Sequence, residues 1–425
     1  MILSKIKYGG WRARVLLGMV LLLLPQTADA GALELQPLIS EALAHNRELL
    51  AAETRIQASG HRVTQAWGLP DPMISFGYQN EGLSSYTYGD SPDAQWMYSV
   101  SQTLPFFGKR DLKQKMAAAD TEGAKAAYEA LQLRIIARIK EFYHDLSLTY
   151  RNLDLVRERA SLFMKIEEAA LARYASGTAS QADVIMAQTE KYMLREREAM
   201  LKQRIQSLEA MLSLTVGRET ITPLERPLPL VFESYNPDEA DLIQKAYVHA
   251  PEIRNREKMI AAAEARVAML KREYYPDFTL TGSLAQRGGD YQNMWSVSTS
   301  VNIPIFYKTK QEPAVHEAQA ALEGAKHELE AVKLMTVSGI RDALSMFRTA
   351  ESLMDLYKNA LIPKAVQDFD LALSGYLTGR SDVLTVIGRL KAILDYELLY
   401  QGQLMERAKS RVRIEAMTEP ALPGK

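Results

Sequence analysis

Residues 95–104, QWMYSVSQTL, set Trp96, Tyr98, Val100 and Leu104 against Met97, Ser99, Ser101 and Thr103. That is the period of a strand with one apolar and one polar face. Pro105 ends the run, a Phe-Phe-Gly-Lys-Arg corner follows, and no proline recurs until Pro223. Across that stretch Ile135, Ile139, Phe142, Leu146, Leu153, Val156, Ala160 and Phe163 keep a 4-3-4-3 spacing, with Thr149 filling one position. Four heptads of this kind mean helix packed lengthwise on helix. A helix from Lys109 to Ala175 rises 1.5 Å per residue and so spans roughly 100 Å.

The pattern occurs twice. Residues 38–63 and 242–267 match at ten of twenty-six positions, among them His45 with His249, Glu48 with Glu252 and Arg62-Val63 with Arg266-Val267. Such self-similarity marks an internal duplication. Pro70-Asp71 and Pro276-Asp277 each open a strand region, and Trp96 and Trp295 each stand nine residues before a proline, Pro105 and Pro304. Each half reads helix, strand, loop, strand, long helix, helix. The second long helix is expected over 311–374, with Pro313 in its first turn and Pro363 kinking it one to three turns before its end. Helices over 47–68 and 180–215 would stack end to end along the first long one. The four prolines of 217–237 predict an extended connector between the halves. The expected organisation is therefore a first repeat over 31–216, a linker over 217–237, a second repeat over 238–418 and a tail over 419–425.

The other three strands alternate as well. Ile74, Phe76 and Tyr78 oppose Met73, Ser75 and Gly77; Phe278, Leu280 and Leu284 oppose Thr279, Thr281 and Ser283; Trp295, Val297, Val301 and Ile303 oppose Ser296, Ser298, Ser300 and Asn302. Alternation alone also suits a half-buried antiparallel sheet in a soluble protein. The polar faces, however, are Ser, Thr and Asn with almost no charge, and the loops 80–94 and 287–293 are polar and contain glycine. Both features favour a transmembrane barrel, with the apolar residues toward lipid and the hydroxyls toward a water-filled lumen. Four strands cannot close a barrel, and a membrane-spanning sheet leaves no open edge. Several chains must then share one barrel.

Composition narrows the setting. The first thirty residues combine Lys5, Lys7, Arg12 and Arg14 with the apolar run 15–24 and Ala28-Asp29-Ala30, which predicts a signal peptide cleaved after Ala30. The 51 basic and 52 acidic residues nearly cancel, which gives no argument for nucleic acid. With no cysteine there is no disulfide framework, thiolate metal site or lipidated cysteine. No nucleophile–base pair, phosphate-binding loop or metal-ligand cluster stands out, and the expectation is a non-enzyme without cofactor or metal. His316 and His327 share a helix face but lie about 16 Å apart along it. Met186, Met193 and Met200, seven residues apart, are expected in the packing seam rather than in a metal relay.

Duplication, four strands, two very long helices and an export signal together resemble the TolC family of outer-membrane efflux ducts. The resemblance covers essentially the whole chain after the leader. Its most specific carriers are the LPFFGKR corner and the turns RYASGTASQADVIMAQ (173–188) and GYLTGRSDVLTVIGRL (375–390), which align Tyr174 with Tyr376, Gly177 with Gly379 and Val184 with Val386. The resemblance implies an α+β membrane protein, a homotrimer whose twelve strands form an outer-membrane β-barrel above a periplasmic α-barrel. It further implies a passive exit duct in a tripartite pump, supplied by an inner-membrane pump through a periplasmic adaptor. The adaptor-docking tips would comprise Tyr174, Gly177, Ser180, Asp183, Val184, Tyr376, Gly379, Asp382 and Val386. A periplasmic gate would use Asp183, Tyr376, Arg380 and Asp382, although the family's acidic ring positions hold Thr385 and Gly388 here. The lipid-facing set would be Ile74, Phe76, Tyr78, Trp96, Tyr98, Val100, Leu280, Trp295, Val297, Val301 and Ile303.

The barrel-to-helix corners would be Pro105, Phe107, Gly108, Pro304 and Phe306. The second corner has Tyr-Lys-Thr where the first has Gly-Lys-Arg, so proline and aromatic are expected to matter more than glycine. The FFGKR corner and the GRSDVL turn look closest to the branch serving heavy-metal pumps of the resistance-nodulation-division type. The rivals are a type I secretion duct of the same fold and a non-transport periplasmic coiled-coil scaffold or adaptor.

Overall fold

The computed structural model describes residues 32–219, 223–229 and 234–420; the expected leader and its cleavage after Ala30 lie outside them. The first repeat runs α1 (Leu35–His45), α2 (Arg47–Trp67), β1 (Met73–Gln79), β2 (Gln95–Leu104), α3 (Lys109–Ala175) and α4 (Gln181–Val216). The second runs α5 (Glu239–His249), α6 (Pro251–Arg272), β3 (Asp277–Arg287), β4 (Met294–Asn302), α7 (Gln311–Leu356), α8 (Ile362–Leu377) and α9 (Val383–Thr418). The four strands form one antiparallel sheet in the order β1-β2-β3-β4.

α3 keeps its 67 residues unbroken. The heptad seam buries Ile135, Ile139, Leu146, Leu153, Val156 and Phe163 almost completely, each contributing about 1.5–3 kcal/mol by leaving water. The second long helix is interrupted, as Pro363 requires. A π turn, Tyr357–Leu361, separates α7 from α8, and the Ile362 N–H reaches back five residues to the Tyr357 carbonyl. The missing Pro363 N–H is absorbed by this wider turn. The helix continues to Leu377, so the interruption lies about four turns from the end, further in than expected.

The short helices stack along α3 with their ends in contact. Asn46 makes that junction: its Oδ1 accepts from the Glu48 and Leu49 N–H groups at 2.9 and 3.1 Å, and its Nδ2 donates to the Thr215 carbonyl at 2.7 Å. The side chain thus caps α2 and satisfies the end of α4 together. Gly217 closes α4 with φ 99°, and a Cβ there would meet the His45 carbonyl oxygen at 2.5 Å. The helix expected over 47–68 is α2, and α1 precedes it as a separate helix, the chain turning at Asn46 between them. Ala250 does the same between α5 and α6, with Pro251 opening α6.

Within the linker, Pro227 bridges to Leu33, and Ser147 Oγ donates to the Leu228 carbonyl at 3.2 Å. They cross the middle of α3. Nearby, α3 meets α9 through Lys140–Glu415 at 2.6 Å and Lys409–Asp145 at 2.9 Å. His144 sits between these pairs, its Nδ1 without a hydrogen-bond partner.

One expectation fails. Met186 packs against the core near the α3–α4 turn, but Met193 and Met200 are 49% and 65% exposed. The seam of α4 runs instead through Val184, Ala187, Leu194, Ile205, Leu208 and Leu212. Ala187 and Leu194 each follow a methionine by one residue, about 100° round the helix.

Burial, reinforced by the Lys140 ammonium, pushes the His144 imidazolium down to about 4. The unfolded chain takes up that proton near pH 6.5 and the folded chain resists it, so stability falls as pH drops from about 6.5 to about 4 and levels off below. Chemical denaturation at pH 7 and pH 4.5 should show a loss, on the order of 2 kcal/mol, in wild type beyond that of His144→Gln. Equal losses would remove His144 from the pH response.

Candidate functional site

The sheet separates two chemistries. Its register places Ile74 beside Val100, Gly282 and Val297 in one row, and Phe76 beside Tyr98, Leu284 and Trp295 in the next. Ten of the eleven residues expected to face lipid share that face, Ile303 lying one residue beyond β4, and Trp295 is 78% exposed on it. The opposite face carries a row of four serines, Ser75, Ser99, Ser283 and Ser296, in consecutive pairing across all four strands. Ser283 and Ser296 share a hydrogen bond of 2.8 Å, and Thr103 and Thr279 one of 3.2 Å. Because successive side chains alternate faces, a slip of one residue anywhere would put serines among the aromatics. β1 and β4 are the sheet's edges.

At the first corner the chain leaves β2 through Gly108, whose φ of 84° is left-handed. Lys109 begins α3 with its side chain 3% exposed, its Nζ 2.9 Å from Asp277 and 3.4 Å from Glu273. Asp277 also accepts the Phe106 N–H at 2.8 Å, and the Phe106 ring stacks on Tyr275 at 4.7 Å. The aromatic contact of the corner is therefore made by the half-buried Phe106, while Phe107 and Phe306 are exposed. The glycine also matters more than expected. Tyr307 stands where Gly108 would repeat, a side chain disfavours that φ, and α7 starts three residues later than the repeat predicts, at Gln311. The Lys109–Asp277 pair was not anticipated, since sequence alone did not show that β2 would lie beside β3.

Far from the sheet, two helix turns share one design. After α3, Gly177 (φ 74°) donates to the Tyr174 carbonyl at 2.9 Å and Thr178 N–H to that of Arg173 at 2.8 Å. After α8, Gly379 (φ 76°) donates to Tyr376 at 3.1 Å and Arg380 N–H to Gly375 at 2.7 Å. Each pair is a Schellman closure, which needs a left-handed residue. Ser180 and Asp183 form a capping box at the start of α4. Asp382 accepts the Thr385 N–H at 2.8 Å, and hydrogen bonding to Thr385 holds its carboxyl below the usual range.

The two turns are locked together by Arg173, which sequence reasoning passed over. Its guanidinium lies 4.5 Å from the Tyr376 ring centre and donates to the Tyr376 carbonyl and, at 3.2 Å, to that of Thr178. The repeat holds a signal for it: Gly375 aligns with Arg173, so only one copy carries the cation.

The expected tip residues divide accordingly. Tyr174, Gly177, Ser180, Gly379, Arg380 and Asp382 are exposed, Asp183 is half-buried, and Val184, Val386 and Tyr376 lie in the core beneath. Tyr376 is 1% exposed with no partner for its hydroxyl, and burial raises its pKa. The carboxylates of Asp183 and Asp382 are occupied as helix caps, and Arg380 forms no ion pair among the described residues. Among those residues no group of three metal-binding side chains occurs, and no helix is long and apolar enough to cross a membrane.

A family model described as outer membrane efflux protein matches residues 38–218 and 242–406. The chain is 21% identical over 394 residues to the cobalt-zinc-cadmium resistance protein CzcC of Cupriavidus metallidurans, covering 91% of this chain and 90% of that protein. It is 24% identical over 364 residues to the solvent efflux pump outer membrane protein SrpC of Pseudomonas putida, covering 80% and 77%. The crystal structure of the outer membrane protein VceC from Vibrio cholerae superposes with a TM-score of 0.79 at 19% identity, covering 91% of this chain and 97% of that one. That likeness establishes the α+β, TolC-like fold.

Tyr376→Phe removes a hydroxyl that bonds nothing, so the stability of the tip is expected to stay within about 0.5 kcal/mol of wild type. Arg173→Ala loses the ring contact and two carbonyl partners, and should cost about 2 kcal/mol. Hydrogen exchange of the 173–183 and 375–385 backbone would separate the two; equal protection in both variants would refute the lock.

Proposed function

The chain belongs to the outer membrane efflux protein family, and we propose that three copies form one exit duct in the outer membrane. The family places it in tripartite pumps, working with a periplasmic adaptor and an inner-membrane pump. The observation that carries the proposal is the sheet: an apolar face, a hydroxyl-lined face and two open edges. An unpaired edge is untenable in hydrocarbon, and further copies supply the missing strands. The long helices would continue the duct through the periplasm.

The tips are the proposed adaptor dock. Tyr174, Gly177, Ser180, Gly379 and Asp382 stand exposed at one end, held rigid from below by Val184, Val386 and Tyr376. The proposed gate lies at the same end. Asp183, Tyr376 and Asp382 shape it from within the chain, and Arg380 is free to bridge to the next copy. Heavy-metal cations are the proposed cargo, and a resistance-nodulation-division pump their proposed source, supported by the named role of CzcC, whose match spans 91% of this chain. The name of SrpC supports organic solvents as a second reading.

Two measurements test these points. Deleting the gene should lower tolerance to zinc, cobalt and cadmium severalfold while leaving toluene tolerance unchanged; the opposite pattern would favour the solvent reading. In planar bilayers, single-channel conductance of the purified oligomer should rise for Arg380→Ala. Wild-type conductance in Arg380→Ala, and also in Asp183→Ala with Tyr376→Phe, would end the gate proposal.

A further inference from the structure

The joint between the two repeats inside one chain has an unmatched counterpart at the chain's outer edges. Under the duplication, Asp71 corresponds to Asp277, Trp96 to Trp295 and Pro105 to Pro304. The observed hairpins support those correspondences. They carry the pair Met73–Ser101 of β1–β2 onto Thr279–Ser300, which are partners in β3–β4, and Ser75–Ser99 onto Thr281–Ser298, also partners. Applied to the inner joint, β2–β3, they yield a register for β4 against β1 of another copy. Thr103–Thr279 becomes Asn302–Met73, and Ser101–Thr281 becomes Ser300–Ser75. This register keeps Val301 opposite Ile74 on the apolar face and Ser300 opposite Ser75 on the polar one, as a slip of one residue would not.

The groups that lock the inner joint reappear unpaired at the outer edges. Inside the chain Lys109 is buried against Asp277, and Phe106 covers Tyr275. Their counterparts are Lys308 with Asp71 and Ile305 with Leu69. Lys308 and Asp71 are exposed with no ion pair among the described residues, and Ile305 and Leu69 are 69% and 46% exposed. The cation and the isoleucine stand beyond β4; the carboxylate and the leucine stand before β1. No single chain brings the two sides together, whereas one copy beside another does. Glu273 has no acidic counterpart, because Trp67 aligns with it, so the outer clamp has a single carboxylate.

We propose that β4 of one copy pairs with β1 of the next in this register, with Lys308 seated on Asp71 of the second copy and Ile305 on its Leu69. This rests on the proposed assembly into one duct and specifies its contact. Charge complementarity and the internal template both select a second copy of this chain as the occupant. The clamp also distinguishes registers two residues apart, which the alternation of faces leaves equivalent.

The chain has no cysteine, so paired cysteines introduced into the full-length protein report register without background. Ser300→Cys with Ser75→Cys should give disulfide-linked oligomers on a non-reducing gel. Ser298→Cys with Ser75→Cys, two residues out of step, should not, because its Cα atoms would lie beyond bridging range. Separately, Lys308→Asp and Asp71→Lys should each lower the temperature at which the unboiled oligomer dissociates, and the double variant should restore it. Disulfides in the shifted pair alone, or no restoration in the double variant, would overturn the inference. An intact oligomer, seen by lysine-directed cross-linking, in which neither cysteine pair links would overturn this register and leave the assembly standing. A chain that stays monomeric by the same cross-linking would overturn both.

Discussion

A backbone N–H or C=O left unpaired in hydrocarbon costs several kcal/mol, and the rest of this molecule is arranged around that cost. A four-stranded sheet satisfies its interior and leaves two edges, β1 and β4, without partners. The sheet is too small to curl back on itself, and in the proposed assembly the edges are satisfied by other copies. The apolar face, the serine row and the hydroxyl pairs are compatible with lipid outside and water inside on that condition alone. The helices answer a separate demand, that of length, since α3 by itself spans roughly 100 Å at the helical rise.

Duplication meets both demands with one unit used twice, and the departures from symmetry show where the two copies carry different loads. The first corner sits inside the chain, where Gly108 allows a tight exit and Lys109 can be buried on Asp277. The second stands at the edge, where Tyr307 replaces the glycine and the helix starts later. α3 runs unbroken, whereas its repeat is relieved by a π turn before Pro363. Arg173 at one tip aligns in the repeat with Gly375 at the other, so one cation holds both turns instead of two cations repelling each other.

The tips show how a correct local prediction can leave a role undecided. The left-handed closures at Gly177 and Gly379 and the caps at Ser180 and Asp382 are properties of a few neighbouring residues. The same capping occupies the carboxylates of Asp183 and Asp382. Burial of Tyr376 likewise depends on Arg173, Val184 and Val386, which come from helices far apart in the chain. Met193 and Met200 repeat the lesson: heptad spacing put them on a helix stripe but did not say which stripe the neighbouring helix would cover.

The strands, their two faces, the long α3, the repeat and the hairpin glycines were determined by the sequence itself, since period and turn chemistry act within a dozen residues. The Asn46–Thr215 junction, the true seam of α4, the Lys109–Asp277 joint and the Arg173 lock were decided only by tertiary structure. Each joins residues separated by tens to hundreds of positions, and no local period records which distant backbone will arrive beside a given side chain. The open edges belong to both. Alternation made the sheet legible, and the order β1-β2-β3-β4 decided which two strands would have to find partners elsewhere.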